Sequence, residues 1–231
     1  MSKTVLVVGA SSGIGKKLAE QLVQSGHQVI SASRTNPQIA GITHHQLDVT
    51  EENPDFSFIP EQLDGLVYCP GTINLKPFNR LSADDFKYDW EVNVLGAIKV
   101  LQASFKSLKK SEDGSVVLFS TVASKLGMNF HSSIASAKAA VEGLGKSLAA
   151  EWSMHGIRVN ILAPSLTDTP LAEKLLGTDD RKDASNKRHP IGRYGKPEDL
   201  AQMAAFLLDT KSSWVTGQVI GVDGGVGGLK P

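Results

Sequence analysis

The stretch TVLVVGASSGIGKKLAEQLVQSG, residues 4–26, decides how the rest of the chain is read. It opens with a short apolar run of strand length, the kind expected of a strand covered on both faces. It closes with a segment whose apolar residues recur at helical spacing, with Gly26 just past its end. Between the two lie Gly9, Gly13 and Gly15, in the spacing G-x3-G-x-G. Glycine lets the chain turn sharply and lets its backbone approach a ligand closely. The free amides at the start of the following helix then favour a phosphate. Strand, glycine turn and helix together point to dinucleotide binding, with Gly9, Ser11, Ser12, Gly13, Ile14 and Gly15 as candidate contacts. The spacing is not the G-x-G-x-x-G of the commonest fingerprint.

Outward from this unit the same alternation continues. Apolar runs at 27–33, 42–50, 63–69, 114–121, 156–164 and 217–225 read as six more strands. Helical patterns fill 82–108, 129–152 and 197–209. The first of these starts at Ser82, with Asp85 three residues on, in the manner of a capping box. The last has Pro197 in its first turn. Strand–helix alternation predicts an α/β fold: a Rossmann-like, doubly wound parallel sheet of about seven strands with helices on both faces. No linker or repeat divides the chain, so one domain over 1–231 is expected. Residues 165–196, rich in Asp, Lys, Arg, Thr and Gly, are irregular and read as a lid over the carboxyl edge of the sheet or as a solvated loop.

Bulk properties narrow the function. Lysine plus arginine equals aspartate plus glutamate at 24 each, which argues against nucleic acid as a partner. The lone cysteine, Cys69, permits no intrachain disulfide and fits a reducing compartment. No apolar run reaches the length that spans a bilayer, and the N-terminus lacks the long apolar region of a signal peptide. A cytoplasmic protein with a small-molecule substrate, no membrane partner and no metal site is expected.

Further motifs, taken in order, resemble those of the short-chain dehydrogenase/reductase family in its compact single-domain branch. They are the glycine pattern, Asp48-Val49, LVYCPG at 66–71 with Gly71 retained, VNVLG at 92–96, APSLTDTPL at 163–171 and WVTGQVIGVDGG at 214–225. The resemblance implies that Asp48 and Val49 touch the adenine and that Asn93 orders the active site. It also implies that Pro164 and Thr169 lie beside the nicotinamide, with Ser165 replacing a glycine. An interface on the helix over 129–152, and hence a homodimer or homotetramer, is implied as well. The small residues Ala135, Ala139, Ala140 and Gly143 suggest that this helix packs closely against another backbone.

The second strand ends in ISASRT, with Ser33 where an acid would grip a ribose 2′-hydroxyl and Arg34 next to it. Arginine there pairs with a 2′-phosphate, which favours NADP over NAD as cofactor. The resemblance also implies a tyrosine as proton donor, a lysine one helical turn on that holds the ribose and lowers the tyrosine's pKa, and a hydroxyl that binds the carbonyl. Lys138 matches the lysine, and Thr121, preceded by Ser120, matches the hydroxyl. The tyrosine's position is Ile134, which has nothing to donate. His131, Tyr68 and a water held by Lys138 or Asn93 are the alternatives, and a substrate already charged as an imine would need a donor less. Leu126, Met128 and Phe130 are expected along the substrate side.

Three readings stand. One is an NADP(H)-dependent oxidoreductase acting on a carbonyl or imine with an altered proton donor. The second is a catalytically inactive dinucleotide-binding protein, a sensor or partner subunit. The third is an interaction protein without cofactor, which the retained glycine turn disfavours.

Overall fold

A computed structural model describes residues 2–229; residues 1, 230 and 231 of the expected domain lie outside the described part. Seven strands form one wholly parallel sheet in the order β3-β2-β1-β4-β5-β6-β7. They are β1 (Thr4–Val8), β2 (Gln28–Ser33), β3 (Ile42–Gln46), β4 (Gly65–Tyr68), β5 (Ser115–Phe119), β6 (Arg158–Pro164) and β7 (Val219–Val222). The helices are α1 (Gly13–Gln24), α2 (Ala83–Trp90), α3 (Gly96–Leu108), α4 (Ser132–Trp152), α5 (Asp179–Arg188) and α6 (Pro197–Leu208). This is the expected Rossmann-like fold. Among the described residues no helix is long and apolar enough to cross a membrane.

The central strands β1, β4 and β5 are apolar along nearly their whole length because each face has its own helical layer, whereas the edge strand β3 (ITHHQ) is polar and only partly covered. Leu6, Val8, Leu66, Val116 and Leu118 pack with Ala97, Val100 and Leu101 of α3 and Ala137 and Val141 of α4. Val5, Val7, Val67 and Val117 point the other way, onto Leu18 and Leu22 of α1 and Leu200, Ala204 and Leu207 of α6. Leucines such as Leu6, Leu66 and Leu207 are fully enclosed, each stabilising the fold by about 1.5–3 kcal/mol.

Local signals behave as the sequence predicts at several ends. Ser82 and Asp85 exchange the two hydrogen bonds of a capping box. Gly26 carries a positive φ of 81° and closes α1 through a bond from its amide to Val23 O.

Two expectations are corrected. The helix expected over 82–108 is not continuous, since Glu91–Leu95 form a π segment between α2 and α3. The irregular region 165–196 holds a 3₁₀ segment, Pro170–Leu175, and the ten-residue helix α5. Helix α5 (DDRKDASNKR) has no apolar face for a periodicity to reveal. Its ends are nevertheless marked: Thr178 caps it, Asp179 and Asp180 occupy the first turn, and Lys187 and Arg188 the last. Within the single chain, α4 approaches the sheet closely at Gly145, whose Cβ would lie 2.6 Å from Ile161 Cδ1, and Gly143 faces outward.

Candidate active site

The strand order reverses between β1 and β4, and at that point the carboxyl ends of the strands leave a crevice. Two cavities occupy it, of about 400 and 1190 Å³. Both are bordered by Ile14, Cys69, Gly71, Thr169 and Leu171, so together they form one trough. The smaller is floored by the glycine turn. Gly9 has φ +82° and Gly13 φ +55°, conformations costly for other residues. A Cβ on Gly15 would collide with the carbonyl oxygen of Gly9. Ser12 is the N-cap of α1, yet its side chain makes no capping bond and the first turn holds no acid. The amides at this helix end therefore remain available to an anion.

Arg34, Asp48 and Val49 border the same smaller cavity. Ser33 turns its hydroxyl onto Thr35 O, 2.9 Å away, and presents no acid. Arg34 is exposed and has no ion pair among the described residues. Asp48 accepts from the hydroxyl of Thr50 at 2.7 Å and from its amide at 3.0 Å. These bonds, with a smaller contribution from Arg34, hold its carboxyl below the usual carboxylate range.

Asn93 sits inside the π segment, directly behind Gly71, which borders both cavities. Its amide nitrogen donates to Asp89 O at 2.7 Å and to Thr72 Oγ1 at 2.9 Å. Asp89, fully buried, accepts from Thr72 at 2.6 Å and from Ser133 at 2.5 Å. Thr72, Asp89 and Ser133 thus fix Asn93; sequence reasoning passed over all three, because nothing in their spacing marks them. Asn93 Oδ1 is buried without a partner. It and Lys138 Nζ flank Gly71, each 3.4 Å from where a Cβ would be.

Lys138 is buried on α4, and its ammonium donates to Phe119 O at 2.9 Å. Burial lowers its pKa to about 8, against the opposing pull of Cys69 and Asp89. One of its three protons is spent, and two are available to a ligand. Ile134 lines the larger cavity one turn before it. Thr121 borders that cavity too and receives the amide of Ala123 at 3.3 Å. Ser120 borders the cavity as well, but its hydroxyl is spent on Glu142 Oε1 at 2.7 Å. Residues 165–188 wall the cavity opposite these groups, with Leu166, Leu171, Ala172 and Leu175 giving it an apolar side and Arg181 and Arg188 a basic one. Pro164 borders the larger cavity and Thr169 both, and Thr169 would meet a Cβ on Gly13 at 3.3 Å.

A family model described as "Enoyl-(Acyl carrier protein) reductase" matches residues 9–227. A tropinone reductase homolog of Arabidopsis thaliana is 32% identical over 243 residues, covering 97% of this chain and 91% of the relative. Ligand-free aldohexose dehydrogenase of Thermoplasma acidophilum superposes with a TM-score of 0.92 at 30% identity, over 100% of this chain and 96% of that one. A structure described as a putative 2-deoxy-d-gluconate 3-dehydrogenase of Agrobacterium tumefaciens, with bound NADP, gives a TM-score of 0.90 at 32% identity, over 97% and 96%. The chain belongs to the short-chain dehydrogenase/reductase family. Among these oxidoreductases a nicotinamide dinucleotide is the expected cofactor, and the trough fits one. It has a turn that only glycines fill, uncapped helix amides, an orphaned Asn93 oxygen and two unspent protons on Lys138.

Two of the expected substitutes for the family's tyrosine fare differently. Tyr68 is excluded: it borders neither cavity, its hydroxyl donates to Val92 O at 2.6 Å inside the core, and burial pushes its pKa well above that of free tyrosine. His131 does border the larger cavity, with Nδ1 2.6 Å from Asn129 O. Of the three apolar residues expected along the substrate side, Met128 lines the cavity, whereas Leu126 and Phe130 do not. Phe130 instead occupies a left-handed turn with φ +68° and is exposed. Sequence reasoning noted Ser165 but missed His189, which lies 24 residues away and 2.9 Å from its hydroxyl.

Proposed function

We propose that this protein is an NADP(H)-dependent oxidoreductase that interconverts a carbonyl or imine with its reduced form, using a proton donor other than a tyrosine on α4. The observation that carries this reading is the unbroken trough from the glycine turn and the free Arg34 guanidinium to the buried ammonium of Lys138. The cofactor would supply a two-electron hydride carrier. The amides of Ser11–Gly15 would hold its pyrophosphate and Arg34 its 2′-phosphate. Asp48 and Val49 would border the adenine, and Gly71, Pro164 and Thr169 would shape the nicotinamide end. Lys138 would hold the ribose, Asn93 would steady the lysine side of the site, and Thr121 would hydrogen-bond the substrate oxygen. The lid over 165–196 and the span 1–231 would act as one catalytic domain. Small exposed residues Ala139 and Gly143 on α4 leave that face open to a second copy in a homodimer or homotetramer.

Ile134 favours a second reading, a dinucleotide-binding protein without turnover, because an apolar side chain occupies the donor's position. The two part in a simple experiment. Titration with NADPH and NADH by fluorescence tests binding, and NADPH-dependent ketone reduction by the parent and by Ile134→Tyr tests turnover. The oxidoreductase reading expects tighter NADPH than NADH binding and measurable reduction by the parent. NADPH binding with no reduction by either protein supports the binding-only reading.

A further inference from the structure

Ser165 follows Pro164, the last residue of β6, and borders the larger cavity, as do Ile134 and Lys138. Strands β5 and β6 end side by side, tied by a bond from the Ser120 amide to Leu162 O at 2.7 Å. Thr121 and Ser165 therefore leave the sheet on adjacent strands. Ser165 Oγ lies 2.9 Å from Nε2 of His189, and Nδ1 of His189 lies 2.6 Å from the carbonyl oxygen of Ser185. That carbonyl can only accept, so Nδ1 carries a proton, and in the neutral ring Nε2 is bare. Nε2 then accepts the Ser165 hydroxyl proton, and the serine's lone pairs are left for the cavity. His189 is 2% exposed, so water does not compete for it. Hydroxyl, imidazole and orienting acceptor in this order are what an activated hydroxyl requires. Among the described cavity-lining hydroxyls, Ser165 alone is bonded to an imidazole.

We propose that Ser165, backed by His189, is the proton relay of the reaction, in place of the tyrosine hydroxyl absent at Ile134; this rests on the oxidoreductase reading above. In alcohol oxidation the substrate O–H bond breaks and its proton passes to Ser165 Oγ. The serine's own O–H bond breaks and its proton passes to Nε2, leaving an imidazolium. A bound oxidised dinucleotide would supply the acceptor for the electron pair of the substrate C–H bond, taken up as hydride as C=O forms. Reduction runs the same transfers backwards. Ser165 touches the reacting oxygen, and His189 acts through it.

The test has one arm without substrate. Nitrogen-15 NMR of the histidine rings, with His189→Gln for assignment, is expected to show His189 as the neutral Nδ1–H tautomer, with its Nε2 signal displaced by Ser165→Gly. An Nε2–H tautomer overturns the relay. In the second arm, NADPH affinity is measured by fluorescence for the parent and Ser165→Gly and is expected to be alike. Failure of the parent to bind NADPH overturns the oxidoreductase reading, a result separate from the tautomer. The third arm follows NADPH-dependent reduction of 2,3-butanedione and cyclohexanone in H₂O and D₂O. Ser165→Gly is expected to lower kcat by about 10²–10⁴ with KM nearly unchanged and to abolish the solvent isotope effect. Ser165→Thr, which keeps the hydroxyl, is expected to stay within about tenfold of the parent. With Ile134→Tyr also present, loss of Ser165 is expected to matter less than about tenfold, since the tyrosine supplies the proton. An equal loss in both backgrounds makes the pair a structural latch and overturns the proposal. A parent that binds NADPH yet reduces neither ketone overturns it too.

Discussion

Replacing Lys138 by methionine turns a buried charge into a measurable pH dependence of stability. The ammonium is 8% exposed, and burial lowers its pKa from 10.5 to about 8. Below pH 8 both folded and unfolded chains hold the proton, and the folded state bears the whole burden of the enclosed charge. Between pH 8 and 10.5 the unfolded chain binds more protons than the folded one, so this group makes stability rise with pH. The full effect is about 3 kcal/mol, from a displacement of about 2.5 pH units at 1.36 kcal/mol each. Lys138→Met removes it. The variant also loses the bond from Nζ to Phe119 O, a loss of about 1–3 kcal/mol that is present at every pH. Near pH 7 the two effects roughly cancel, and at pH 10.5 the variant stands about 1–3 kcal/mol below the parent. Comparing parent with variant subtracts the other groups that titrate in this range once both proteins carry Cys69→Ser, since Cys69 interacts directly with Lys138. Urea unfolding followed by circular dichroism at steps from pH 7 to 10.5 reads the difference, expected as a relative midpoint shift of about 1 M. A gap between the two proteins that stays flat, or narrows as pH rises, refutes the reasoning.

Gly15→Ala is expected to lose at least about 2 kcal/mol in urea unfolding, because the added methyl meets the Gly9 carbonyl, which belongs to the backbone and cannot swing aside. Calorimetry of the same variant should show no NADPH binding. Arg34→Ala is expected to weaken NADPH about tenfold and leave NADH nearly unchanged, the small end of charge-assisted bonding because the guanidinium is exposed; added salt should shrink the difference in the parent. Ile134→Tyr, one turn from the ammonium of Lys138, should raise the rate of ketone reduction wherever proton transfer limits it, by up to about 10²–10⁴, read from steady-state NADPH oxidation. Burial pushes the Cys69 thiol up to about 12, so at pH 8 its thiolate fraction is about 10⁻⁴ and labelling by iodoacetamide should be far slower than for a free thiol.

The sheet was legible because its physics is local. An apolar run covered on both faces, a glycine turn and a capped helix each leave a mark within ten residues or so. Gly9, Gly13 and Gly15 could be placed from spacing, and Lys138 and Ile134 only through the resemblance to the family's helix. The π segment could not be read, since the apolar pattern of 82–108 is compatible with an unbroken helix and the extra residue is decided by how α2 and α4 meet. Helix α5 escaped because it presents polar residues on every side and is held by its caps and its place over the cavity. The Ser165–His189 contact lay beyond reach for a different reason. It joins the end of β6 to the end of α5, and only the path of the lid brings them together.

The π segment also makes the site sensitive to length as well as to composition. Each residue of a helix turns the next by about 100°. Removing one residue from Glu91–Leu95 would close the irregular hydrogen bonding there, a local gain. It would also rotate one half of the helix against the other. Either Val100 and Leu101 would swing out of the layer beneath the sheet, or Asp89 would swing away from Ser133 on α4. No single substitution reverses a turn of that size. The insertion thus works like the spacer in a lock: its thickness, rather than its material, decides whether Asn93 comes level with Lys138.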